Sequence, residues 1–209
     1  MKDLIIIGAG GMGRDIYDFS TQCVGYGKDF IVAGFLDDDL DSLRPFSGYP
    51  AVINKIDEYD PTENDVFVCS MGDVSQKKSS VERVLRKGGK FISLIHPTAQ
   101  IGMNSQIGDG CVILKDAFVG TECSISDFVL IQIGAVIGHD VRIGKYSRVD
   151  CHAVCVGGTE LKDGVTIHTG AIINHNVVVE SQAKVGAGSF VIRRVKANTS
   201  VLGNPAKKI

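Results

Sequence analysis

The sequence predicts two architectures joined end to end. Residues 1–95 read as a Rossmann-like parallel α/β sheet, and residues 96–209 as a left-handed parallel β-helix of hexapeptide repeats. Three observations carry this expectation. A short apolar strand runs into a glycine-rich turn at the start of the chain, aliphatic residues recur every six positions through the second half, and ten of the fourteen aromatic residues precede residue 96. A narrow prism has little room for rings, so the aromatics belong to a sheet-and-helix core.

Lys2–Ile7 is the first strand, leading through Gly8-Ala9-Gly10-Gly11-Met12-Gly13 into a helix expected over Arg14 to Cys23. A second strand, Phe30–Leu36, ends in Asp37-Asp38-Asp39, and Arg44–Ala51, with two prolines and a glycine, reads as a surface loop. A third strand, Asp65–Cys69, passes through Ser70-Met71-Gly72-Asp73 into a helix expected over Ser75 to Lys87. A fourth, Lys90–Ile95, feeds the repeat at His96-Pro97. Strands alternating with helices imply a parallel sheet.

From Ile95 to Val191, seventeen consecutive positions spaced by six are Ile, Leu or Val, with Cys155 the one exception. Two residues before each stands a small or β-branched residue, from Ser93 to Ser189. A period of six fits neither a helix nor an up-and-down strand ladder. It fits a triangular prism of eighteen residues per coil, with the aliphatic column inside and the small residue letting the chain turn. Gly102, Gly108, Gly120, Gly138, Gly144 and Gly186 follow the aliphatic position, where a tight corner is expected to favour a residue without Cβ. Five and a half coils stacked at about 4.8 Å make a prism roughly 26 Å tall.

Composition narrows the function classes. A chain of 209 residues with 44% hydrophobic and 22% charged residues is neither disordered nor fibrous, and its net charge of −2 argues against a dedicated nucleic-acid binder. No apolar run approaches the ~20 residues of a membrane helix, and MKDLIIIGAGG does not read as a signal peptide, so a cytoplasmic protein is expected. The six cysteines form no C-x-x-C pair and are expected to be packing residues.

Two motifs carry chemistry. GAGGMG between strand and helix fits G-x-G-x-x-G, whose glycines admit a diphosphate against backbone N–H groups and a helix N-terminus. Asp37 lies 24 residues beyond Gly13, near the usual distance for a ribose-binding carboxylate. With about four strands before the repeat begins, one nucleotide diphosphate fits better than a dinucleotide. In the repeat, His139 follows Gly138 outside the inward position, where an imidazole can serve as general base. His175 lies two coils on, about 10 Å away in the same column if the coils stack ideally. His152 and His168 read as surface or interface residues.

The chain resembles the bacterial sugar-nucleotide acetyltransferases of the sialic acid O-acetyltransferase (NeuD-like) family, and within it the UDP- or dTDP-linked 4-amino-sugar N-acetyltransferases. The likeness runs through GAGGMG, FLDDD, SLIHPTAQIG, AVIGHDVRIG, VGAGSFVIRRV and VLGNPAKKI. It implies an amino-terminal domain that binds the nucleotide sugar, through Gly8, Gly10, Gly11, Met12, Gly13, Asp37, Asp38 and Gly72. It implies a β-helix that binds acetyl-CoA between subunits of a homotrimer, with Gly157 and Ala187 along the cofactor and Arg193, Arg194 and Lys196 near its phosphates. His139 is then the base, Asp140 its neighbour, and no metal is needed. The product would enter polysaccharide biosynthesis. Three departures stand out: Met12 replaces a common His, Arg148 replaces a second His nine residues after the base, and Gln132 replaces an Asn seven residues before it. Two rivals remain at this stage. One is a γ-carbonic-anhydrase-like metalloenzyme, for which His139 and His175 have the right spacing but Glu180 stands at the third ligand position. The other is a nucleotide-sugar-binding homologue without catalysis.

Overall fold

The computed structural model describes all 209 residues, which divide into two compact units, Met1–Pro97 and Thr98–Ile209. The first unit holds β1 (Lys2–Ile7), α1 (Gly11–Gln22), β2 (Phe30–Leu36), β3 (Val52–Asn54), β4 (Asp65–Cys69), α2 (Val74–Arg86) and β5 (Leu94–Ile95). Four strands form a parallel sheet in the order β3-β2-β1-β4, with Ile7 opposite Leu36 on one side and Cys69 on the other. Leu4 to Ile7 of the central strand β1 are buried on both faces, and so are Val66 to Cys69 of β4 at the sheet's edge, as expected of parallel strands covered by helices.

Both helices start earlier than their apolar periodicity suggests. α1 begins at Gly11, inside the glycine-rich turn. α2 begins at Val74 because the Asp73 carboxylate accepts the N–H groups of Ser75 and Gln76 at 3.0 Å, an N-cap. The expected strand Lys90–Ile95 is reduced to a single bridge, Phe67 to Phe91, followed by β5. The loop Arg44–Ala51 is fastened to α1: the Arg14 guanidinium lies 3.7 Å from the Phe46 ring centre, and Tyr49 meets Tyr17 edge-on. β3, which follows that loop, is too short for a periodic signal.

The second unit is a three-faced parallel β-helix of two-residue strands. Its first face stacks Gln100–Ile101, Phe118–Val119, Val136–Ile137, Val154–Cys155, Ile172–Ile173 and Phe190–Val191. The second runs from Gln106–Ile107 to Val178–Val179, and the third from Val112–Ile113 through Leu130–Ile131, Arg148–Val149, Thr166–Ile167 and Lys184–Val185 to Ser200–Leu202. Partners are eighteen residues apart, as in Val136 with Val154. From Ile113 to Val191 every aliphatic hexad position, Cys155 included, is almost wholly buried, each contributing about 1.5–3 kcal/mol of apolar burial. The last coil is two residues short: Val179 bridges Val195, and Val185 pairs with Val201.

Two expectations about the coil need correction. The small residue two before each aliphatic position does not sit at the corner; Ala135, Ala153, Ala171 and Ala183 are buried inside with it. The left-handed backbone lies three residues after the aliphatic position, at Asn104, Gly110, Asp116, Glu122, Phe128 and every sixth residue to Gly188. The glycines after the aliphatic position do not adopt it. They are required by close approach, since a Cβ at Gly120 would stand 2.8 Å from the backbone of Gly138 and His139 in the next coil.

Candidate functional site

The glycine-rich loop is built around β1. Gly8 has φ +95°, and a Cβ on Gly13 would collide with the Gly8 carbonyl oxygen, so these two glycines make the turn itself. Gly10 and Gly11 are exposed and face open space; the nearest atom to a Cβ on Gly11 is an Arg14 guanidinium nitrogen at 3.9 Å. No side chain caps α1, leaving its first turn, with Met12, open for an anion. Across the sheet, the Ser70 hydroxyl lies 2.8 Å from the carbonyl oxygens of Ile7 and Gly8, joining the ends of β1 and β4.

The two predicted carboxylates hold the loop rather than stand unengaged. Asp37 accepts the N–H of Ala9 at 2.7 Å and of Asp39 at 3.0 Å. Asp38 takes both guanidinium NH groups of Arg83, at 2.9 and 3.0 Å, and Arg83 also reaches Asp57. Hydrogen bonding from Arg83 holds the Asp38 and Asp57 carboxyls below the usual carboxylate range. A polar cavity of about 480 Å³ opens beside them, lined by Asp38, Met71, Ser75, Gln76, Ser79, Ser80 and Arg83. Its lining comes from beyond the carboxyl ends of β2 (Asp38) and β4 (Met71) and from α2, on the side of an open α/β sheet where ligands usually bind. Gly72 belongs to the adjoining loop; the α2 residues of the cavity gave no sequence signal because they read as an ordinary polar helix face.

In the β-helix, His139 sits at the corner between the first and second faces. Its ring lies over Gly157 of the next coil, where a Cβ would stand 2.6 Å from both Cε1 and Nε2. Because position 157 has no side chain, His175 two coils on leans back toward His139. Their ring centres are 6.4 Å apart, closer than ideal coil stacking predicts. Adjacent side chains on an extended chain point apart, yet His139 Nδ1 and Asp140 Oδ2 are 2.6 Å apart. Asp140 has φ +59°, and this left-handed corner brings the two neighbours together. Both side chains remain 62% exposed, open to a substrate.

Arg148 is not brought to His139 within one chain. It projects from the third face, half a coil away, opposite the His139 corner. There Asp150, only 5% exposed, accepts Arg148 Nε at 2.7 Å and a terminal guanidinium nitrogen at 2.8 Å. Gln132 donates to Asp150 at 2.8 Å, and His168 Nδ1 lies 3.1 Å away. Sequence reasoning passed over Asp150, because nothing in a hexad marks a buried carboxylate, and read His168 as a surface or interface residue without this partner.

At the carboxyl end, Arg193, Arg194 and Lys196 line a cavity of about 500 Å³ together with Lys207 and Lys208, over a floor that includes Val191, Val201 and Pro205. The two lysines were not expected; they arrive because the final strand Lys207–Lys208 folds back against Ser200–Leu202. Arg194 also lies 3.5 Å from Glu180, the residue at the third metal-ligand position of the metalloenzyme alternative. Ala187 is exposed. No group of three or more His, Cys, Asp or Glu is arranged to hold a metal ion within one chain.

The chain is similar to known proteins in both halves. The PglD N-terminal domain family matches residues 3–84. The UDP-N-acetylbacillosamine N-acetyltransferase of Bacillus subtilis (strain 168) is 29% identical over 118 residues, which are 54% of this chain and 52% of that protein. The match thus spans about half the length of this curated relative. The acetyltransferase domain of PglB from Neisseria gonorrhoeae FA1090 is 26% identical, each chain covering 100% of the other, with a TM-score of 0.89. That domain has also been solved with acetyl coenzyme A. PerB from Caulobacter crescentus, solved with CoA and GDP-perosamine, has the same TM-score at 23% identity, covering 100% of this chain and 98% of its own. Variants of it with one histidine changed to Asn or Ala were likewise solved with CoA and GDP-perosamine. The fold class expected from the sequence, a Rossmann-like sheet followed by a left-handed β-helix, is the one found.

Proposed function

We propose that this chain, a sugar-nucleotide acetyltransferase of the group that includes the PglB domain, transfers the acetyl group of acetyl-CoA to the amine of a nucleotide-linked amino sugar. The observation that carries the reading is His139, oriented by Asp140 on a left-handed corner and seated over the bare backbone of Gly157. With Nδ1–H donated to Asp140, the Nε2 lone pair is the proton acceptor. As the amine nitrogen forms its bond to the thioester carbon, Nε2 takes the amine proton. The C–S bond then breaks, and the imidazolium returns that proton to the thiolate. No covalent enzyme intermediate is formed.

The nucleotide diphosphate is assigned to the open first turn of α1 at Gly10, Gly11, Met12 and Gly13, and its nucleoside to the polar cavity beside Asp38 and Gly72. The basic end cavity, with Arg193, Arg194 and Lys196, suits the phosphates of CoA, whose arm then runs past Ala187 and Gly157.

A homotrimer completes the site. The outward column of the first face is apolar, with Phe118, Val136 and Ile172 each about 40% exposed, whereas the second face shows Ser124, Arg142 and Glu160 in that register. An apolar stripe of this kind favours burial against another copy. Since Arg148 lies opposite the His139 corner, a second prism is what can set the guanidinium of one chain beside the imidazole of its neighbour. Arg148 would then polarise the thioester carbonyl. No helix is long and apolar enough to cross a membrane. We assign the reaction to the cytoplasm and its product to polysaccharide assembly.

The test is acetyl-CoA turnover with a panel of nucleotide amino sugars. One acceptor should be acetylated, and His139→Ala should lower kcat by roughly 10²–10⁴ with both substrates still bound. Mixing and refolding inactive His139→Ala and Arg148→Ala chains together should restore part of the activity. A panel without turnover, or a His139→Ala enzyme of near-normal kcat, refutes the reading.

A further inference from the structure

Asp150, directly after the third-face strand Arg148–Val149, is the most deeply buried carboxylate of the repeat. Burying a carboxylate is costly unless donors surround it. Here four donor atoms do so: Arg148 Nε at 2.7 Å, a second Arg148 nitrogen at 2.8 Å, Gln132 Nε2 at 2.8 Å and His168 Nδ1 at 3.1 Å. Gln132 is itself fixed, since its carbonyl oxygen accepts the Cys151 thiol at 3.1 Å. The four polar residues come from three successive coils, so their meeting is set by the eighteen-residue register and not by local sequence.

The bidentate pairing removes Arg148's freedom. A long, flexible cation becomes a plate of fixed orientation, with Nε and one terminal nitrogen held by the Asp150 carboxylate. A guanidinium used only for solubility needs no such anchor. One used as an oxyanion donor does, because such donors act through preorganisation.

We propose that Asp150, itself held by Gln132 and His168, is a positioning residue that fixes Arg148 as the donor to the thioester carbonyl oxygen. This rests on the acetyltransferase reading above. Asp150 touches no substrate; it acts through Arg148.

The experiment is a double-mutant cycle on the full-length protein, measured with acetyl-CoA and the acceptor found for the wild type. Asp150→Asn, nearly isosteric, should lower kcat by about 10–100-fold, the scale of a displaced catalytic group, with the KM for acetyl-CoA changed less than about threefold. In an Arg148→Met background the same substitution should cost less than about threefold. Calorimetry gives a second readout: Asp150→Asn should reduce the preference for acetyl-CoA over CoA, because CoA lacks the carbonyl. An equal loss of kcat in both backgrounds, or an unchanged preference for acetyl-CoA, overturns the proposal. If Asp150→Asn does not fold, Gln132→Met carries the cycle: a kcat loss of threefold or more, absent in Arg148→Met, supports the positioning role, and no loss overturns it. A wild-type protein that acetylates no acceptor defeats the acetyltransferase reading itself, whereas an active wild type insensitive to these changes defeats the positioning role alone.

Discussion

Gly157→Ala isolates the orientation of the base from the stability of the coil. Gly157 does not have a left-handed backbone, so alanine is conformationally acceptable there, and the exchange removes freedom from the unfolded chain, worth about 0.4–1 kcal/mol in favour of folding. The new methyl carbon would stand 2.6 Å from Cε1 and Nε2 of His139 and 3.0 Å from Cδ2. Ordinary contact begins near 3.4 Å, so the ring must move by about 1 Å. Nothing buried resists the movement, because the imidazole is 62% exposed and swings into solvent. The chemistry resists it: the 2.6 Å approach to Asp140 is lost, and a displacement of about 1 Å in a catalytic group costs on the order of 10²-fold in rate. The expected outcome is a melting temperature equal to or above wild type and a kcat reduced about 100-fold, read by calorimetry and by acetyl transfer. Gly170→Ala is the opposite control. That residue has φ +67° with nothing within 4 Å of a Cβ, so the variant should melt lower and keep its kcat within twofold. A Gly157→Ala enzyme with wild-type kcat would show that the imidazole over that glycine is not the base.

Two further outcomes follow from the first unit. Gly11→Val should leave stability almost unchanged, because a side chain there meets only open space, while raising the acceptor's KM at least tenfold and sparing the KM for acetyl-CoA; steady-state kinetics with each substrate varied separates the two. Arg83→Met should lower the melting temperature by a few degrees at pH 7. Asp38 and Asp57 have depressed pKa values, so their contribution is present above the unfolded carboxylate range and disappears as pH falls through the folded values. The gap between variant and wild type should therefore be full at neutral pH and narrow as pH falls below about 4, and a gap that does not narrow in acid would show that Arg83 acts by packing alone.

The sequence made the long-range order legible where side-chain identity repeats. The hexad column from Ile95 to Val191 declares its own register, and the eighteen-residue strand pairings up to Val191 follow from it, while those of the shortened last coil do not. Glycine-rich turns are legible for a related reason, since Gly8 and Gly13 are places where the backbone cannot carry a Cβ. What stayed hidden depends on contacts across coils. The approach of His175 to His139 is decided by the empty position at Gly157, and the meeting of His139 with Asp140 by a left-handed corner whose place only the coil register fixes. Lys90–Ile95 misled because an apolar stretch beside a sheet reads as a full strand whether or not its edge is long enough to pair. Asp150 was invisible because a lone carboxylate in a repeat looks exposed until its four donors are seen.

The eighteen-residue coil makes the second unit a ruler. Ile137 and Val191, each two residues before His139 and Arg193, stand in one buried column, so the acyl end and the basic end of the prism are three coils and about 14 Å from each other along the axis. That interval cannot be adjusted by an ångström or two. A change in coil length has to be absorbed at a corner, as the two missing residues of the last coil are between Val191 and Val195, for the later aliphatic residues Val195 and Val201 to stay buried. The separation changes only by whole coils, in steps of about 4.8 Å. A thioester ligand spanning the two ends is therefore measured against fixed marks, and variation among acyl donors must be met by side chains within a coil while the scale itself stays constant.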